Sequence, residues 1–299
     1  MDAQEEQIKH GTHITRRRFL SVCAVAGAFS AMPFANALAS APLHHWRGIL
    51  LGAEVSLTLA HPDKQKANKI FQHCVTEIKR LENIFTLYDS HSELSQLNAH
   101  GLLQNPSLEM VDILQKSRIY HEITSGAFDV TVKPLEDKKS FNLVGIDNLD
   151  ITPKEIRLNK KGMGITLNGI AQGYITDHIT QMLKAEGLNN VLVELGEKRA
   201  IGHHPSGRPW FLALQDEKDP VLLVDKALAT SVRQSPNTGS IHIYNPLNGQ
   251  YARQHKSISV LASNATMADA LSTGFMSLEK KRILEIQKRY PDIKNIYIG

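Results

Sequence analysis

Cysteine is nearly absent from this 299-residue chain, which holds only Cys23 and Cys74. Cys23 falls in a segment expected to be removed. One thiol and no disulfide then remain, so core packing rather than a covalent scaffold must hold the fold. Cys74 lies in an apolar helical pattern and reads as a small buried hydrophobe. Aromatic residues are only 6% and are not interleaved with basic ones, and no Lys/Arg run follows the N-terminal segment. With a net charge of +4, this argues against nucleic acid as a partner. The 14 histidines show no zinc-like spacing. Internal repeats, low-complexity tracts and linkers are missing too. What is there, 42% apolar and 21% charged, is the composition of an ordered globular protein.

The N-terminal segment is built differently. Thr15-Arg16-Arg17-Arg18-Phe19-Leu20-Ser21 leads into a run of apolar and small residues ending at Phe34. Ala35-Asn36-Ala37 and Ala37-Leu38-Ala39 follow. A charged head, a short apolar run and an A-x-A site make a signal peptide. The arginine pair before Phe19-Leu20 resembles the twin-arginine signal. The apolar run of about 16 residues falls short of the ~20 that a membrane-spanning helix needs. We expect a signal over 1–39, a mature domain over 40–299, and delivery to the periplasm by the twin-arginine export machinery after folding around a ligand.

Periodicity along the mature chain predicts two strand pieces over 46–59, broken at Gly52, and a helix over 64–81 with Ile70, Cys74, Ile78 and Leu81 on one stripe. Further helices are expected over 108–123, stopped by Gly126, and over 170–183, 266–278 and 281–290. Short strands are expected over 128–132, 156–158, 164–167, 191–195, 211–214, 221–224, 240–244, 257–262 and 293–298, with an irregular stretch over 136–148. Helices interspersed with many short strands imply an α+β fold in a single domain.

Three segments carry candidate chemistry. On the helix over 266–278, Asp269, Ser272 and Thr273 stand at i, i+3 and i+4 and share a face. A carboxylate with two hydroxyls is a hard-oxygen set suited to Mg²⁺. The same letters also fit a capping box with Thr266 as N-cap and Asp269 at the third helical position. In Asn168-Gly169-Ile170-Ala171-Gln172-Gly173-Tyr174, between a strand and a helix, two glycines allow close backbone approach to a ligand, and a helix N-terminus favours anions. An ordinary strand-to-helix turn fits that segment equally well. In His242-Ile243-Tyr244-Asn245-Pro246-Leu247-Asn248-Gly249, turn signals follow a histidine that is either structural or catalytic.

Read in order, these pieces resemble the FAD:protein FMN transferase (ApbE) family. Leu51-Gly52-Ala53 is similar to the family's Met-Gly-Thr opening. Tyr88, Ser92-Glu93-Leu94-Ser95 and Leu97-Asn98 follow, then Gly126-Ala127-Phe128-Asp129-Val130-Thr131-Val132 with Pro134-Leu135. The glycine turn over 169–174 with Asp177, Ala229-Thr230-Ser231, residues 242–246 with Gly249, and 268–273 complete the set. The resemblance spans nearly all of 47–278. It implies a single α+β domain that binds FAD and Mg²⁺ and moves FMN from FAD to a Thr or Ser hydroxyl of an acceptor flavoprotein, releasing AMP. Exported acceptors of such enzymes belong to membrane electron-transfer systems. By the same resemblance, the side chains of Asp269, Ser272 and Thr273 and the carbonyl of Gly169 are metal ligands. Leu51, Tyr88, Ala127, Phe128, Asp129, Thr166, Gln172 and His242 are FAD contacts, and His242 and Asp269 are the catalytic candidates. The sequence departs from the family pattern in several places. Gln172 stands where Lys is frequent, Thr166 where Asp is common, Val232 where Gly is usual, and Asn245 replaces an Asp. Leu195-Gly196-Glu197 has one glycine where two are usual. Two other activities stay open on these residues: hydrolysis of FAD to FMN and AMP, and flavin binding without catalysis.

Replacing both Arg16 and Arg17 by Lys is expected to leave unprocessed precursor in the cytoplasm. Fractionation and immunoblotting read this directly, and undiminished periplasmic recovery of a shortened chain would refute the export signal.

Overall fold

The structure, a computed structural model, describes residues 41–214, 217–234 and 239–299. The twin-arginine signal expected over 1–39 lies outside the described residues. Strands β1 (Leu43–Leu50) and β2 (Ala53–Ala60) form a hairpin. Its two turn residues, Leu51 and Gly52, have φ of 54° and 71°, the left-handed pair that matches the twist of the flanking strands. Helix α1 (Lys64–Phe85) starts at Asp63, whose carboxylate accepts the Gln65 and Lys66 N–H groups. It runs a turn beyond the predicted 64–81 because Phe85 continues the buried stripe of Phe71, Cys74, Ile78 and Leu81. Cys74 is fully buried and its thiol is pushed up to about 12 by desolvation, as expected of a structural residue.

A helix that the periodicity did not suggest, α2 (Glu93–His100), is set by its ends: Ser92 caps it and Gly101 closes it at φ 70°. Strand β3 (Leu102–Gln104), helix α3 (Leu108–Ile123) and the short α4 (Lys133–Glu136) follow. Strands β4 (Leu149–Ile151) and β5 (Glu155–Leu158) join β3 in a small antiparallel sheet of order β3-β5-β4. Helix α5 (Ala171–Ala185) leads to β6 (Val191–Glu194), β7 (Lys198–Ile201), and the separate pair β8 (Trp210–Leu212) and β9 (Val221–Leu223). Last come β10 (Ala227–Val232), β11 (Ser257–Ala262), α6 (Ala265–Phe275), α7 (Lys280–Arg289) and β12 (Ile293–Ile298).

Among the described residues the main sheet has the order β1-β2-β6-β7-β10-β11-β12, and every pair is antiparallel. Period-2 alternation assigns its two faces. Leu57, Leu59, Val191, Val193 and Val260 join Phe71, Ile78, Leu114, Ile179 and Leu271 of the helices in one buried cluster. Leu192, Ala200, Leu228 and Leu261 turn the other way and meet Trp210, Leu212, Val221 and Leu223 of β8 and β9. The result is the single α+β domain expected. No helix among the described residues is long and apolar enough to cross a membrane.

Three predicted strands are not formed, each for a local reason. Over 128–132 the Asp129 carboxylate takes the Thr131 N–H and folds the run into a 3₁₀ turn. Over 164–167 the backbone is bonded elsewhere. Ile165 exchanges hydrogen bonds with the Asn98 amide, and the Thr166 N–H donates to the Val130 carbonyl. Over 240–244 only isolated pairings occur, Ile241 with Gln234 and Tyr244 with Tyr251.

Helices α5 and α6 cross at Gly173, where an added Cβ would lie 2.4 Å from the Ala265 carbonyl oxygen and 2.7 Å from Asp269 Cβ. Backbone cannot yield as a flexible side chain does. Gly173→Ala is therefore expected to destabilise the protein by about 1–3 kcal/mol. Thermal melts check this, and an unchanged melting temperature would refute the tight crossing.

Candidate active site

Helix α6 begins at Asn264, whose side chain accepts the Met267 N–H at 2.8 Å. Asp177, reaching from α5, accepts the Ala265 and Thr266 N–H groups at 2.8 Å each and the Thr266 hydroxyl at 2.5 Å. Arg199 of β7 pairs with the same carboxylate. The N-terminus is thus fully supplied with acceptors, and the capping role that the sequence allowed for Thr266 and Asp269 is not found. Asp269 lies one turn further in and is only 5% exposed. Its Oδ2 accepts the Gly173 N–H at 2.9 Å. Burial pushes its carboxyl up to about 7. The Gly173 N–H opposes that shift, and the nearby Asp177 charge adds to it.

The hydroxyls below Asp269 form a chain. Ser231 of β10 lies 2.8 Å from the Ser272 hydroxyl and 3.2 Å from that of Thr273, and Ser272 also donates to the Asp269 carbonyl at 3.0 Å. Gly169 presses its backbone against Thr273, where an added Cβ would come within 2.9 Å of Oγ1. Asp269, Thr273 and Gly169 therefore converge on one wall of a cavity of about 500 Å³. Ser272 is buried with its hydroxyl engaged by Ser231 and the Asp269 carbonyl, and it is not among the residues that line the cavity.

The lining also includes Ala127, Phe128 and Asp129, Thr166 and Gln172, and His242 in the loop before the Asn245 turn. Asp129 lines the cavity, but its oxygens are spent on the Thr131 N–H and hydroxyl and on the Ile146 N–H, so it shapes the loop. His242 has its ring pKa lowered by burial, against which a hydrogen bond to the Ser240 backbone works, and the net effect favours the neutral imidazole. Asn245 sustains its turn by accepting the Leu247 N–H at 2.9 Å, as an Asp would. Two expected contacts lie apart. Leu51 sits in the β1–β2 turn and packs on the core, and Tyr88 is 96% exposed; neither lines the cavity.

The cavity also contains groups that sequence reasoning missed. Ser231 is one. Another is Glu197, at the β6–β7 turn, whose carboxyl is pushed well up, first by burial and then by the Asp269 charge. The signal for it was present as the acid standing in place of a glycine after Gly196. Glu136 completes a set of four acidic residues in the walls, with Asp129, Glu197 and Asp269. Among the described residues no Lys or Arg lines the cavity.

The sequence model of the ApbE family matches residues 51–297. The chain belongs to the ApbE family. A curated relative from Haemophilus influenzae, named FAD:protein FMN transferase, is 27% identical over 256 residues, covering 71% of this chain and 73% of that protein. One of the same name from Vibrio cholerae is 26% identical over 246 residues, covering 69% and 74%. The solved flavin transferase ApbE from Vibrio cholerae superposes with a TM-score of 0.74 at 23% identity, over 87% of this chain and 97% of that one. The apo flavinyl transferase ApbE of Pseudomonas stutzeri gives 0.78 at 21%, over 88% and 96%. The last two establish the shared fold. Within that ApbE fold, the structure brings nine of the expected positions to one cavity: Ala127, Phe128, Asp129, Thr166, Gly169, Gln172, His242, Asp269 and Thr273.

Asp269→Asn retains an oxygen for the Gly173 N–H but removes a buried charge. The Asp269 pKa is raised from 3.8 to about 7, so the folded state holds the proton more tightly than the unfolded chain. The destabilisation from this group enters as pH climbs from about 4 and is complete above about 7. In chelator, the variant should melt with the wild type at pH 4 and above it at pH 8. Paired melts at the two pH values test this, and a lower melting temperature at pH 8 would contradict the burial argument.

Proposed function

We propose that this chain transfers FMN from FAD to a Thr or Ser hydroxyl of an acceptor flavoprotein, dependent on Mg²⁺ and releasing AMP. The observation that carries the reading is the convergence of Asp269, Thr273 and Gly169 on a cavity without basic side chains among the described residues. An anionic pyrophosphate is favourable in such a cavity only with a cation beside it. The donor set is made of hard oxygens: a carboxylate, a hydroxyl and, from Gly169, a carbonyl. Such a set fits Mg²⁺, which retains waters for the rest of its shell. When bound there, Mg²⁺ neutralises charge on the phosphoryl oxygens and on the departing AMP.

The remaining roles follow from the side chains themselves. The acceptor hydroxyl oxygen attacks the FMN phosphorus, a new P–O bond forms, and the bond to the AMP phosphate breaks. Neutral His242 on the cavity wall takes the hydroxyl proton. Gln172 offers amide hydrogens to the pyrophosphate, and Phe128 offers ring surface beside the small Ala127. Catalysis of this kind rests on positioning and charge neutralisation rather than on covalent chemistry by the protein. We further propose that the enzyme acts in the periplasm, on acceptors of a membrane electron-transfer system. The arginine pair and A-x-A sites of residues 16–39 support the location.

The test is incubation with FAD, Mg²⁺ and an acceptor candidate, following covalent flavin fluorescence on the acceptor together with AMP. Equal amounts of both are expected. AMP with free FMN and an unlabelled acceptor would mean hydrolysis, and bound FAD with neither product would mean a binding protein. His242→Ala should lower kcat by about 10²–10⁴-fold, a larger effect than any loss of FAD affinity from the missing contact. A kcat within twofold of wild type would remove His242 from the proton transfer.

A further inference from the structure

Glu197 is 7% exposed and lines the same cavity as Asp269. Its carboxylate accepts the Thr230 N–H, and its Oε2 has no hydrogen-bond partner among the described residues. Leaving a carboxylate oxygen buried and unpaired is among the more expensive arrangements a folded chain can keep. A nearby basic side chain would relieve it, but among the described residues no Lys or Arg lines the cavity. Gln172 does not take that role. Its amide packs on Gly196, where an added Cβ would lie 2.5 Å from Gln172 Oε1. The residue that carries this orphaned oxygen thus shares the lining of one cavity with Asp269, Thr273 and Gly169.

We propose that Glu197 is a second carboxylate ligand of the divalent cation in this site, set against Asp269. The proposal rests on the cation reading above and adds a donor to it. The donors are all oxygen, which selects Mg²⁺ or Mn²⁺ over softer metals. Two carboxylates balance a dication completely. The cation is then held before any phosphate arrives, whereas a site with one carboxylate depends on substrate oxygens to complete its charge. The consequence is metal binding by the chain alone, without FAD. It also accounts for a cavity that keeps an acid where glycine would leave room: the lost space is exchanged for a charge that retains the metal.

Mn²⁺ is the probe, titrated into the purified chain without FAD and read by electron paramagnetic resonance and calorimetry. The wild type is expected to bind one Mn²⁺. Glu197→Gln keeps the shape and the acceptor for Thr230, and should weaken binding by about tenfold or more, since removing a ligand acts at least as strongly as disturbing the groups around one. Glu197→Asp keeps the charge but withdraws the oxygens by one methylene, so ligation requires a loss there too, while a through-space field does not. Melting temperatures in chelator establish that each variant is folded, and Glu197→Gly provides a second variant without the carboxylate should Gln pack badly. Affinity within threefold of wild type for Glu197→Gln, with binding lost in Asp269→Asn, overturns the Glu197 assignment and leaves the Asp269 site standing. Full affinity in Glu197→Asp overturns direct ligation. If the wild type binds no Mn²⁺ with or without FAD, the cation reading and this proposal fall together.

Discussion

A single carboxylate on α5 decides where α6 begins. Asp177 takes two backbone N–H groups and a hydroxyl at the start of α6, while Arg199 balances its charge from the sheet. Because the helix start is served from outside, Asp269 is released from any capping duty. The same helix pair then supplies the Gly173 N–H that Asp269 needs in order to be buried at all. The crossing at Gly173 makes both contacts possible, since any side chain there would lift α6 away. The place of Asp269 in the cavity wall, the hydroxyl chain from Ser231 and the position of Gly169 against Thr273 all inherit their geometry from that junction.

The electrostatics of the cavity run opposite to those of the chain. The protein carries a net charge of +4, yet its central cavity is walled by four acidic residues and, among the described residues, by no Lys or Arg. Overall charge governs long-range steering, and local charge governs what can be held. Of the four acids, Asp129 has committed its oxygens to Thr131 and to the Ile146 N–H and so presents little to a ligand. The others differ in how far their charge is answered, and that difference separates structural from functional carboxylates more clearly than residue type does.

Much of this was legible in the sequence. The 3.6-residue period placed α3 and α6 closely, and β11 and β12 matched their predicted bounds. The i, i+3, i+4 pattern put Asp269 and Thr273 on one face. That this face is not a cap could not be read locally, because the helix start is served by Asp177, 88 residues before Ala265. Strand predictions failed where a side chain captured the backbone, as Asn98 does at Ile165 across 67 positions. Glu197 was noted only as a departure from a pattern, since nothing in Leu195-Gly196-Glu197 tells that the turn from β6 to β7 aims it inward beside Asp269.

The cavity walls come from six stretches scattered between Ala127 and Thr273, none of which holds a site by itself. Such a site is assembled from distant parts of the chain and exists only once the sheet has closed and α5 has docked on α6. Partly folded forms, whose long-range pairings are the slowest to form, would have no affinity for the substrate. Any ligand of this cavity then binds the finished fold alone and draws the population toward it in proportion to the logarithm of its concentration. A cell that loads this protein before moving it would thereby be selecting, without a separate inspection step, for molecules that have completed folding.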